Sequence, residues 1–79
     1  MQNKVQELIG VMATAEQLII QDQNNPQLSM NKQFLDKVHE VFKKLKQFQG
    51  MQVSGALADN YNYAYRYLYD TLFIAGRIR

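Results

Sequence analysis

Three stretches of this chain carry apolar residues at alternating intervals of three and four. That spacing marks one face of an α-helix, with 3.6 residues to the turn. Val5, Leu8, Met12, Ala15 and Ile19 form the first series, widened on both sides by Ile9, Val11, Leu18 and Ile20. Phe34, Val38, Val41, Leu45 and Phe48 form the second, flanked by Leu35 and Phe42. Leu57, Tyr61, Ala64 or Tyr65, Leu68, Leu72 and Ala75 form the third. The fold class expected is all-α.

Punctuation between the series agrees. Asn3 is placed to cap the first helix, and Asp22-Gln23-Asn24-Asn25-Pro26 to end it, since Pro26 disfavours helical angles at Asn25. Ser29 or Asn31 can cap the second helix and Gly50 can stop it. Asp36 early and Lys43, Lys44 and Lys46 late suit the helix dipole. Gly76 followed by Ile78 reads as a helix stop with its apolar closing contact. The expected helices are about 3–22, 30–49 and 55–75 in a single helical domain over residues 1–79. Short connections make sequential helices antiparallel neighbours, so the expected architecture is an up-down-up three-helix bundle.

One segment resists this reading. Tyr61, Tyr63, Tyr65, Tyr67 and Tyr69 hold all five tyrosines of the protein at every second position, the period of a strand. A helix is preferred because the longer window keeps helical spacing and no second strand is available to pair with it. At about 100° per residue, Leu57, Tyr61, Tyr65, Leu68 and Leu72 share a core face. Tyr63, Tyr67 and Ile74 then fall on the opposite side, beside Arg66 and Asp70. A helix that is apolar on two sides is buried on two sides, and three helices cannot surround one of their own number.

That surplus face is the main functional signal. Tyr beside Arg is the composition enriched at interface hot spots. Tyr63, Arg66, Tyr67 and Ile74 are therefore the candidate partner-binding residues, and the partner expected is protein. Self-association completes the bundle through helix three, as a homodimer or higher oligomer, because a two-fold dimer needs only one self-complementary patch. A helical adaptor, chaperone, immunity or inhibitor protein using the same face on a different protein is the alternative. Exposed tyrosines with their hydroxyls in water are the bland reading.

Other functions find less support. With 79 residues, 47% of them hydrophobic, and a net charge of +2, neither disorder nor a second domain is expected. No run approaches the ~18–20 apolar residues of a membrane span. The run Leu8–Ala15 ends in Ala-x-Ala like a signal peptide, but Glu7 precedes it and the apolar pattern continues past Ala15, so a cleaved leader is not expected. The absence of Cys excludes disulfides and thiolate zinc sites and fits a cytoplasmic location. Lys32, Lys43 and Lys46 with His39 on one side of helix two, and Lys37 and Lys44 on the other, give a weak nucleic-acid reading. These lysines straddle the apolar stripe, as lysines bordering a core helix do. Asp36, His39 and Glu40 neighbour one another at i, i+3 and i+4, but a helix-borne metal site needs more ligands than one His allows. Ser29 and Ser54 suit turns, the carboxylates are dispersed and no glycine-rich phosphate loop is present. The expectation is a non-enzyme with no cofactor, metal or small-molecule substrate.

The chain length and the Asn-Asn-Pro-Gln-Leu turn from Asn24 to Leu28 resemble the hairpin subunits of type III secretion needles. The resemblance covers only that turn and the total length. The break at Gly50 and Gly55 and the Tyr-rich third segment depart from it.

Overall fold

In the computed structural model, which describes residues 4–78, the chain forms three α-helices: α1 (Lys4–Asn24), α2 (Lys32–Lys46) and α3 (Ala56–Ile74). A short 3₁₀ turn, Pro26–Met30, links α1 to α2. No strand occurs among the described residues. The tyrosine run lies wholly within α3, so the period of two carries no strand with it.

The ends of the helices follow local chemistry. α1 runs two residues beyond the expected stop, to Asn24. Asn25 then leaves helical angles ahead of Pro26, and its side chain accepts a hydrogen bond from the Gln27 amide at 3.3 Å. The expected cap at Asn3 lies outside the described residues. Of the two caps offered for α2, Asn31 serves: its Oδ1 accepts from the Phe34 amide at 3.0 Å. Ser29 stays in the preceding turn, its hydroxyl donating to the Pro26 carbonyl. α2 ends at Lys46, earlier than expected. The next residues close i to i−3 hydrogen bonds, from the Phe48 amide to Leu45 and from the Gln49 amide to Lys46, and tighten the chain toward Gly50 at φ +84°.

The stop at Gly76 is as the sequence suggests. Gly76 takes φ +76°, its amide donates to the Phe73 carbonyl at 3.0 Å, and the Arg77 amide donates to Leu72 at 2.8 Å. That pair of bonds is the Schellman closure, with Ile78 half-buried against the core just beyond it.

Neighbouring helices are antiparallel. Gly10 and Val11 of α1 share a cleft with Val41 and Lys44, while Leu18 and Gln21 share one with Asn31 and Phe34. The Tyr61 hydroxyl at the start of α3 donates to the Leu45 carbonyl near the end of α2 at 2.6 Å. At the other end Arg77 pairs with Asp36. α3 thus runs parallel to α1, and the three helices stand up, down and up.

The core draws on all three: Leu8, Met12, Ala15, Leu18 and Ile19; Phe34, Val38, Val41, Phe42 and Leu45; and Ala64, Leu68 and Leu72. The first two seams enter largely as read, but Val5 is left 37% exposed and Phe48 half-buried. The residues expected to widen the α1 stripe divide. Leu18 is buried and Val11 half-buried, whereas Ile9 and Ile20 stand more than half exposed. In α3 the centre of the core face is Ala64 with Leu68 and Leu72. Ala64 is buried at the centre of that face, and Tyr61 and Tyr65 are half-buried beside it.

Candidate protein-interaction surface

Five tyrosines on one helix must each find a place for a ring and a hydroxyl, and the structure divides them among three settings. Tyr61 and Tyr65 lean toward α2. Their rings lie 6.0 Å apart, Tyr65 packs 4.9 Å from Phe42, and the Tyr65 hydroxyl receives a 3.1 Å hydrogen bond from Gln49. Burial, and behind it neighbouring Tyr65, raises the Tyr61 hydroxyl above its ordinary pKa.

Tyr67 leans toward α1, which corrects the expectation that it stands on the open side. Its ring is half-buried against the core, and its hydroxyl donates to Asp22 Oδ2 at 2.6 Å. Burial first, and then the Asp22 carboxylate, push the Tyr67 hydroxyl up to about 12. The other carboxylate oxygen, Asp22 Oδ1, is buried with no hydrogen-bond partner among the described residues. On a helical wheel Tyr67 falls about 100° from Leu68, at the border of the core face, and α1 is near enough to cover that border. The wheel shows the angle, but only the neighbour's position decides whether the border is open.

Tyr63 lies on the outward side of α3, and Tyr69 stands at its edge, its ring 6.1 Å from that of Phe42 in α2. Tyr63 is 56% exposed, its ring 6.1 Å from that of Tyr67, and its hydroxyl accepts a long 3.4 Å hydrogen bond from Gln23. Ile74 is 83% exposed. Arg66 is exposed and makes no hydrogen bond or ion pair within the described residues; the same holds for Asp70, one turn further along. Of the four residues singled out in the sequence, Tyr63, Arg66 and Ile74 share this outward surface, and Tyr67 belongs to the α1–α3 seam beneath it.

Two residues of the surface escaped the sequence reading. Tyr69 and Phe73 lie on the opposite flank of the Arg66–Asp70 ridge, partly exposed, with their rings stacked 6.0 Å apart. The signal was present: Phe73 follows Arg66 by seven residues, two full helical turns, so it must project in nearly the same direction. The outward face of α3 is therefore an Arg66–Asp70 ridge between two apolar strips, Tyr63 with Ile74 and Tyr69 with Phe73.

Asp36 pairs with Arg77 just beyond the end of α3, and the hydrogen bond from Arg77 holds its carboxyl below the ordinary carboxylate value. Among the described residues no group of three His, Cys, Asp or Glu side chains is arranged to hold an ion, and no helix is long and apolar enough to cross a membrane. Lys43, Lys44 and Lys46 are exposed at the end of α2, and the Lys46 ammonium lies 5.8 Å over the Phe42 ring. Comparison with family models, curated proteins and solved structures found no match for this chain.

Proposed function

We propose that the protein is a non-enzymatic helical interaction module that self-associates through the outward face of α3. The observation that carries this reading is the exposure of Tyr63, Tyr69, Phe73 and Ile74 on one helix whose opposite face already fills the core. Their relative exposures leave roughly 400 Å² of mostly apolar surface, given that an aromatic side chain can bury 150–250 Å². A standard interface buries about 800 Å² per partner, a little over half of it apolar, so this face is of the size one partner contributes.

Tyr63, Arg66 and Ile74 act in this interface with Tyr69 and Phe73, while Tyr67 supports the face from within its own chain. Sedimentation equilibrium from micromolar to millimolar concentration tests the reading. The wild-type chain is expected to form a dimer or higher oligomer, and Tyr63→Glu to shift it to monomer without altering its helix content. A wild-type chain that stays monomeric across that range overturns self-association. A monomer that still binds another protein through this face would fit an adaptor or inhibitor instead.

A further inference from the structure

The exposed residues of α3 contain a second pattern at helical spacing. Asp59, Tyr63, Arg66, Asp70 and Phe73 follow one another at intervals of four, three, four and three. This is the seam spacing of a helix that packs against another helix, and it lies on the side of α3 turned away from Leu68. At the middle of the seam stand one cation and one anion with no hydrogen-bond or ion-pair partner among the described residues. An aromatic residue stands on either side of them.

Such a seam is complementary to itself in one direction only. If two copies of α3 cross antiparallel about a two-fold axis at the level of Leu68, residues whose numbers are equally spaced about 68 meet. Arg66 then faces Asp70 of the second copy, and Asp70 faces its Arg66. Tyr63 faces the second copy's Phe73, and the reverse. In a parallel pairing Arg66 meets Arg66 and Asp70 meets Asp70, which is repulsive.

Resting on the self-association proposed above, we infer that the partner is a second copy of this chain docked antiparallel on α3. Two reciprocal Arg66–Asp70 ion pairs set the register, and two Tyr63–Phe73 contacts enclose them. Polar residues in an otherwise apolar helix seam select direction and register in this way, because every other alignment leaves a charge against its like or against a ring. Tyr69 and Ile74 border the seam and cover its edges. The ion pairs specify the alignment, and the aromatic layers contribute most of the affinity.

Charge reversal tests the inference. Arg66 and Asp70 are exposed and form no hydrogen bond or ion pair among the described residues, so Arg66→Asp and Asp70→Arg are expected to fold as the wild type does, which circular dichroism checks. Each single reversal sets like charges face to face. Its dimer dissociation constant, from sedimentation equilibrium, is expected to rise by about 10–100-fold. The double reversal Arg66→Asp with Asp70→Arg restores the pairs in opposite sense and is expected to return within a few-fold of wild type.

A wild-type dimer indifferent to the single reversals, or one the double reversal does not restore, overturns the antiparallel register and leaves self-association standing. A monomeric wild type overturns both. The chain has no native Cys, so disulfide capture gives a second readout. A mixture of Tyr63→Cys and Phe73→Cys chains is expected to cross-link between the two variants. Tyr63→Cys chains that cross-link to one another instead would refute the antiparallel docking.

Discussion

Replacing Tyr67 by Phe isolates one bond and leaves the ring in place. The bond lost is the 2.6 Å donation to Asp22 Oδ2. Asp22 is half-buried and its Oδ1 already lacks a partner, so Tyr67→Phe leaves both carboxylate oxygens without a hydrogen bond from the protein. A hydrogen bond to a charged group contributes about 1.5–3 kcal/mol, and the partial exposure of this pair lowers the expectation to about 1–2 kcal/mol. For a domain of this size that corresponds to a fall in Tm of roughly 5–15 °C.

The pH dependence has a definite sign. Burial and the Asp22 carboxylate raise the folded-state Tyr67 hydroxyl from an ordinary 10.0 to about 12. A group whose folded pKa is raised contributes stability that is complete below the unfolded value and is lost as pH rises through the folded one. Burial, the larger cause, penalises the phenolate without strengthening the phenol, so only the Asp22 bond counts at neutral pH. The stability difference between wild type and Tyr67→Phe is therefore expected to be constant from neutral pH to about 10, to shrink to zero as pH rises from there toward about 12, and then to change sign, because the buried phenolate is penalised by more than the lost bond contributed. Urea titrations followed by circular dichroism at a series of pH values measure it. Tyr63→Phe is the control: its hydroxyl has only a 3.4 Å contact at an exposed site and is expected to contribute less than about 0.5 kcal/mol. Equal midpoints for wild type and Tyr67→Phe at neutral pH would refute the placement of Tyr67 in the α1–α3 seam, as would a wild type that keeps its full advantage over Tyr67→Phe at pH 12.

Gly76→Ala forces a left-handed backbone on a residue with a Cβ, and nothing lies within 4 Å of that added atom. The expected loss is the conformational part alone, about 1–2 kcal/mol by chemical denaturation, and no measurable loss would contradict the Schellman closure. Asp36→Asn removes the ion pair that ties the start of α2 to the end of α3. The folded-state pKa of Asp36 is lowered, so wild type is expected to be more stable than Asp36→Asn at neutral pH. That advantage should be lost as pH falls through the ordinary carboxylate value toward the lowered one, and a difference independent of pH would count against the pair.

Much of the fold is legible in local terms. The spacing of Leu8, Met12, Ala15 and Ile19, and of Phe34, Val38, Val41 and Leu45, specifies which side of α1 and α2 is buried, because helix geometry fixes direction along one element. Asn31 caps α2 and Gly76 closes α3 through bonds between residues three to five positions apart, which a sequence reading can reach. Even the competition between periods two and three-to-four over Tyr61–Tyr69 is settled by counting along a longer window.

What the tertiary structure decided is the fate of residues at the edges of those faces. Tyr67 and Tyr69 lie at nearly equal angles on either side of Leu68, yet Tyr67 is held by Asp22 from α1 while Tyr69 stays partly exposed. Ile9 and Leu18 both border the α1 stripe, and only Leu18 is covered. An edge residue is buried or open according to how near the next helix stands, and that placement is set jointly by core side chains far apart in sequence. The sequence by itself determined three helices, their inward faces and a surplus of apolar residues on the third. Only the assembled bundle decided which of that surplus the chain covers with its own α1 and which it leaves beside Arg66 and Asp70.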